Sequence, residues 1–130
     1  MDIELRLLAA AAVLGIVQVL LTSAAVTRER GIAWNASARD AQGAPLGPLA
    51  GRLQRAQANF LETFPMFAAA VLAVVLAGRQ DATTALAAHL YFWARLVYVP
   101  LYAAGIPYLR SLVWLVSLAG VLMLLWTLLR

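Results

Sequence analysis

The chain of 130 residues is 64% hydrophobic and only 12% charged, and its mean hydropathy is +0.83. These values lie outside the usual range of soluble domains and indicate a single-domain integral membrane protein. The net charge of +4 comes from ten arginines, no lysine and six acids. Because the arginines are divided between loops and apolar segments, the pattern disfavours a nucleic-acid-binding surface. The absence of cysteine excludes disulfides, cysteine-ligated metals and a protein thiol nucleophile, so any sulfur chemistry must come from a bound small molecule.

The first apolar segment, residues 7–26, carries no charge and is long enough to cross the roughly 30 Å hydrocarbon core of a bilayer. A cleavable signal peptide is the competing interpretation. Asp2 and Glu4 do not fit the positively charged start of such a peptide, and the apolar run is too long. We therefore predict a first helix over about residues 5–27.

Residues 28–50 form the only extended polar segment, which ends in the turn-rich stretch Gly43-Ala-Pro-Leu-Gly-Pro48 and is predicted to be a loop. This loop and the next helix entrance carry five arginines: Arg28, Arg30, Arg39, Arg52 and Arg55. The opposite side carries three: Arg6, Arg79 and Arg130. The positive-inside rule therefore predicts a cytoplasmic loop and termini on the outer side.

Three further helices are predicted at about residues 51–77, 82–104 and 108–129, which gives an all-α bundle of four transmembrane helices. Gly78 and Gly105 suit helix ends, and Pro107 suits a helix start. Because the connections after the second and third helices are short, neighbouring helices should be antiparallel.

Two polar stripes interrupt these apolar helices. Arg52, Arg55, Asn59 and Glu62 are spaced three, four and three residues apart, which places them on one face of the second helix. A charge at mid-bilayer costs about 2.5 to 3.5 kcal/mol, so such a face should contact protein or a water-filled cavity. The second stripe lies on the third helix and comprises Arg95, Tyr98 and Tyr102.

Arg110 lies in the first turn of the fourth helix, where the positive end of the helix dipole disfavours a cation. A bound anion would remove this conflict, because backbone N–H groups and the guanidinium would both face it. Ser111 adds a hydroxyl at the same place. The alternative is that Arg110 anchors the helix among lipid headgroups.

Antiparallel packing brings these stripes to one level, where four arginines accompany a single acid, Glu62. We expect Glu62 to pair with Arg55 or Arg95 and the surplus cations to bind an anionic ligand. A ligand with carboxylates, an ammonium group and an amide backbone would match the arginines, Glu62 and Asn59 respectively. The alternative is an internal salt-bridge network that only fixes helix register. His89 is interpreted as a hydrogen-bonded or interface residue and not as a metal ligand or base. Trp93, Trp114 and Trp126 are interpreted as lipid-facing residues or as members of the aromatic belt.

The motifs resemble those of the MAPEG family, the membrane-associated proteins in eicosanoid and glutathione metabolism. The resemblance rests on Arg55-Ala-Gln-Ala-Asn59-Phe-Leu-Glu62-Thr-Phe-Pro65, on Ala94-Arg95-Leu-Val-Tyr98 with Tyr102, and on Ile106-Pro-Tyr-Leu-Arg110-Ser111. It covers about residues 5–128 and is similar to the leukotriene C4 synthase branch around residues 55–67. Thr63 departs from that branch, which has a tyrosine there.

The resemblance implies a homotrimer, here in a bacterial inner membrane, that binds glutathione as co-substrate between subunits near the cytoplasmic side. It implies a glutathione transferase or peroxidase acting on lipophilic electrophiles. Catalysis would fall to Arg110, which stabilises the glutathione thiolate, and to Ser111. Implied glutathione contacts are Arg55, Asn59, Glu62, Arg95, Tyr98 and Tyr102, with Gln57 and either Arg28 or Arg30 as weaker matches; Arg52 joins them from the polar stripe.

Two other functions fit four spans in a short chain. A small multidrug transporter would use an intramembrane acid for cationic cargo, but four arginines accompany Glu62. A non-enzymatic scaffold or lipid-binding protein of the same fold is the third hypothesis. The electrophilic substrate is not specified by these residues.

Overall fold

The computed structural model describes residues 1–40 and 43–130, and this part of the chain is helical apart from short connections. The helices are α1 (Ile3–Arg30), α2 (Ile32–Ala36), α3 (Pro48–Leu76), α4 (Ala82–Ala103) and α5 (Pro107–Leu129). The four long helices run up, down, up and down, with α1 packed on α3 and α4, and α5 packed on α4 and α3.

The predicted 28–50 loop is partly wrong, because it contains the last turn of α1, the short helix α2 and the start of α3. Arg28 and Arg30 prolong α1, since cations are favourable at the negative end of a helix. Pro48 begins α3 because its fixed φ angle and missing N–H suit the first helical position.

Three helices, α1, α3 and α5, are long and apolar enough to cross a membrane, with mean hydropathies of 2.2, 1.8 and 2.4. The chain is therefore an integral membrane protein. The predicted fourth span, α4, forms a 22-residue helix but is not among these candidates. His89, Arg95 and three tyrosines lower its hydropathy.

The apolar core lies in one half of the bundle, and the arginine-rich stripes lie in the other. This core joins the first half of α1, the second half of α3, the first half of α4 and the second half of α5, which antiparallel packing brings to one level. Its fully buried members include Ala11, Phe67, Ala87, Tyr91 and Leu124. The arginine-rich stripes lie toward the opposite end, where α2 is.

Two local devices fix α4 in this arrangement. At its start, Asp81 and Thr84 form a reciprocal capping box, with Thr84 N donating to Asp81 Oδ1 at 2.9 Å and Asp81 N donating to Thr84 Oγ1 at 2.8 Å. At its end, Gly105 has a φ of 76°, the left-handed conformation that glycine adopts readily. The turn returns the chain into α5, so the α5 start lies beside the α4 end.

Candidate functional site

A polar cavity lies where α3, α4 and the first turns of α5 meet. It has a volume of about 250 Å³. The residues that line it are Asn59, Tyr98, Arg110, Ser111 and Trp114. We call it the arginine cavity. Four of these five residues are predicted site residues, so the structure brings members of both stripes and the α5 start into one place.

Tyr102 connects two arginines beside this cavity. Arg55 Nε donates to the Tyr102 hydroxyl at 3.2 Å, and the Arg110 guanidinium lies 4.5 Å from the centre of the Tyr102 ring. Aromatic rings attract cations through their negative faces. Tyr102 therefore holds two guanidiniums near one point, one by its hydroxyl and one by its ring, without neutralising either of them.

Arg95 lies behind the cavity rather than in it. Its side chain is 1% exposed, and its Nη1 donates to Asn59 Oδ1 at 2.9 Å. The guanidinium also lies 4.3 Å from the Tyr98 ring centre. The sequence pattern groups Arg95 with the ligand contacts, but in this chain it contacts two residues that line the cavity.

Arg52 is also displaced from the cavity. Its Nη1 donates to the Ala103 carbonyl at 3.4 Å, close to Gly105. The last carbonyls of a helix lack intrahelical partners, and an arginine can satisfy them. Arg52 therefore connects the α3 entrance to the α4 end and supports the turn that presents Arg110.

Glu62 lies on the exposed side of α3 and does not pair with an arginine, contrary to the prediction. Within residues 1–40 and 43–130, the one carboxylate–guanidinium pair joins Arg130 and Asp81 at 3.1 Å, at the other end of the bundle. The two arginines expected to pair with Glu62 form hydrogen bonds to neutral groups instead. Arg55 donates to the Tyr102 hydroxyl, and Arg95 donates to Asn59 Oδ1.

A second polar cavity, the corner cavity, lies between the end of α1, α2 and the start of α3, with a volume of about 220 Å³. Its polar lining includes Arg30, Trp34, Asn35, Arg39, Gln54 and Gln57. Arg30 rather than Arg28 lies here, and both Arg30 and Arg39 lie over the Trp34 ring, at 4.8 and 5.2 Å. Thus Arg30 and Gln57 are separated from the arginine cavity within one chain.

Trp114 was missed by sequence reasoning, which interprets it as lipid-facing. It is half-buried in the arginine cavity, and its indole N–H is buried without an acceptor among the described residues. The available signal was its spacing, because Trp114 lies one helical turn beyond Arg110 and Ser111. Trp93 and Trp126 are exposed at 53% and 66%, as a lipid-facing position requires.

Comparison with known proteins agrees with the motifs. The MAPEG family model matches residues 7–130, nearly the whole chain. No curated protein matches the chain. The match covers α3, α4, nearly all of α1 and α5, and every residue of the arginine cavity, which confirms the resemblance inferred from the motifs. This chain belongs to the MAPEG family.

Proposed function

We propose that this protein binds glutathione and uses it as a glutathione S-transferase or peroxidase toward lipophilic electrophiles. The observation that carries the proposal is the shared cavity of Asn59, Tyr98, Arg110 and Ser111, which joins α3, α4 and the start of α5. Family membership supports glutathione as the ligand class.

The charge balance supports an anionic ligand. Arg55 and Arg110 both contact Tyr102, and neither belongs to an ion pair among the described residues. An internal salt-bridge network would have matched these cations with carboxylates. Unneutralised guanidiniums inside a membrane protein are costly, and a ligand carboxylate or thiolate offsets that cost.

Arg110 is the proposed activator of the glutathione sulfur. A free thiol has a pKa of about 8.5, and a nearby guanidinium lowers it by favouring the thiolate. The thiolate attacks an electrophilic carbon, a C–S bond forms, and the leaving group departs with its electron pair. Ser111 lies at the same cavity, and its Oγ donates to the Pro107 carbonyl at 3.3 Å. We propose that this hydroxyl turns from the carbonyl to donate to the thiolate when glutathione is bound.

We propose that two copies of the chain complete the site, in a homotrimer. The arginine cavity, at about 250 Å³, is smaller than the roughly 300 to 1,000 Å³ typical of ligand pockets. Arg30 and Gln57 lie in a separate cavity, and Glu62 is exposed although it occupies a membrane-spanning helix. Apposition of one subunit's corner cavity and another's arginine cavity would enclose all of these groups.

An apolar groove between α1 and α3 suits the lipophilic co-substrate. It has a volume of about 350 Å³ and is lined by side chains such as Ile16, Leu20, Phe60 and Phe64. Val19 borders both this groove and the corner cavity, so the two are adjacent. A lipophilic electrophile could reach a thiolate from the membrane by this route.

We place the protein in a bacterial inner membrane with the proposed site on the cytoplasmic side. The corner cavity and the arginine-rich segments lie at one end of the bundle, and cytoplasmic segments carry the excess of arginine and lysine. Labelling of a single cysteine placed at Ala38, an exposed position, tests this orientation. A membrane-impermeant maleimide should react with it only after the cells are opened.

The function is tested with detergent-solubilised protein by calorimetric titration of glutathione and by conjugation of glutathione to an aryl halide. Arg110→Ala should slow conjugation by about 10-fold to 100-fold at pH 7 and move the midpoint of the pH–rate profile upward toward the free thiol pKa. Arg6→Ala, an exposed arginine at the other end, is the control and should behave as wild type. If Arg110→Ala and Arg55→Ala both left binding and conjugation unchanged, the proposal would be lost.

A further inference from the structure

Arg95 is the largest fully buried side chain in the described part of the protein. It is 1% exposed, and its Nε and Nη2 atoms are buried without an acceptor. The one hydrogen-bond acceptor it has there is Asn59 Oδ1, and the rings of Phe60 and Tyr98 lie at 5.7 and 4.3 Å. Buried charges are normally paired with opposite charges, so this arrangement is a stability cost that calls for a reason.

The contact with Arg95 decides which way the Asn59 amide points. An arginine can only donate hydrogen bonds, so the Asn59 atom facing Nη1 at 2.9 Å must be the carbonyl oxygen. The amide nitrogen, with its two N–H donors, then points away from Arg95. Because Asn59 lines the arginine cavity, it offers the ligand a donor rather than an acceptor.

An aspartate at position 59 would be the better partner for Arg95, because a carboxylate forms a charge-assisted hydrogen bond and neutralises the buried guanidinium. The side chain is nearly the same size, so packing does not oppose it. The chain nevertheless carries asparagine. A carboxylate would present only acceptors to the cavity, where the carboxylate and carbonyl oxygens of a ligand need donors.

We propose that Arg95 is a positioning residue that fixes the Asn59 amide as a donor to a carbonyl or carboxylate oxygen of the ligand, and that the protein sacrifices stability to keep this donor. This inference rests on the proposed function for the identity of the ligand. It corrects the sequence-based assignment of Arg95 as a direct contact and gives the two residues one joint role.

The test compares Asn59→Asp with Asn59→Leu, with two measurements on each purified protein. Asn59→Asp should raise Tm without ligand, by on the order of 5 °C, because Arg95 gains a counter-charge. Asn59→Leu should lower Tm, because Arg95 loses its acceptor. Both should weaken glutathione binding by about tenfold or more, because both remove the donor.

A double-mutant cycle tests whether Arg95 acts through Asn59. Arg95→Lys retains the charge but shifts the donor, so it should weaken glutathione binding in the wild-type background and have little effect when Asn59→Leu is already present. Losses that simply add would contradict positioning. The two Asn59 variants remain informative if the Arg95 variant does not fold.

The outcomes separate this inference from the proposed function. If wild type binds glutathione and Asn59→Asp binds it equally well, or if Asn59→Asp lowers Tm, the inference is overturned and the proposed function stands. If wild type does not bind glutathione at all, the proposed function and the ligand assignment fall together. The opposite Tm shifts of the two variants then still decide whether Arg95 orients Asn59.

Discussion

In the polar half of the bundle, arginine side chains contact neutral side chains rather than carboxylates. Tyr102 holds Arg55 by its hydroxyl and Arg110 by its ring, and Asn59 is held by Arg95. In each pair a neutral group positions a guanidinium or is positioned by one. Positive charge therefore stays concentrated at one level without cancellation, which is the condition for binding an anion there.

The two contacts of Tyr102 can be separated by substitution. Tyr102→Phe removes the hydroxyl that accepts from Arg55 but retains the ring beside Arg110. We expect glutathione affinity to fall by roughly fivefold, the equivalent of one hydrogen bond of about 1 kcal/mol. The pH–rate profile, which depends on Arg110, should keep its midpoint.

Tyr102→Leu is the matched comparison, since it also removes the ring. This variant should lose affinity further and move the pH–rate midpoint upward, because Arg110 loses its support. Calorimetric titration and initial conjugation rates across pH measure both effects. Identical behaviour of the two variants would show that the ring does not position Arg110.

Close packing of α5 on α4 fixes where the α5 start lies. A Cβ atom at Gly120 would lie 2.6 Å from the Ala87 carbonyl oxygen and 3.0 Å from Tyr91 N, so the two backbones are in near contact. Small residues permit such approaches between membrane helices. Both contacts are with backbone atoms, which cannot move aside as a side chain can.

Gly120→Ala should therefore destabilise the bundle by about 1 to 3 kcal/mol through overpacking. Gly15→Ala is the matched variant: its Cβ would meet the edge of the Phe60 ring at 2.9 Å, and a side chain can adjust. In thermal unfolding measured in one detergent, Gly120→Ala should have a lower Tm than both Gly15→Ala and wild type. A lower Tm for Gly15→Ala than for Gly120→Ala would show that α4 and α5 are farther apart at Gly120 than these distances indicate.

At the scale of the whole molecule, the proposed glutathione site is divided between two faces of each chain. The arginine cavity contains Arg110, and the corner cavity contains Arg30 and Gln57. One chain cannot bring these residues to the same ligand. The proposed trimer supplies each site with one face from each of two neighbours.

Mixed oligomers test this arrangement. An Arg110→Ala chain and a chain with Arg30→Ala and Gln57→Ala should each be poorly active alone. Co-expression should restore activity, because some interfaces combine two intact faces. In a trimer that contains both chains, one of the three interfaces combines two intact faces, so we expect about a third of the wild-type rate from the mixed trimers.

Differently tagged chains isolated through both tags provide the mixed population to be assayed. Activity no higher than that of either variant alone would contradict a shared site. If the co-expressed chains were active although every chain remained monomeric, the activity would not need an oligomer.

The sequence by itself determined the membrane class, the four long helices and four of the five residues that line the arginine cavity. Apolar runs that can cross a bilayer follow from composition, and helical spacing places Arg55, Asn59 and Glu62 on one face whatever packs against it. The motifs also led to the family, which the match over residues 7–130 confirms.

Only the tertiary structure decided which of these side chains share a cavity. Periodicity gives the direction of a side chain around its own helix but not the distance to a neighbouring helix, which depends on close contacts such as that at Gly120. For this reason the expected positions of Arg95 and Trp114 were both wrong: Arg95 is buried behind Asn59, and Trp114 lines the cavity. The same limit concealed the separation of Arg30 and Gln57 from Arg110, because spacing along a chain does not show which face of the bundle a helix presents.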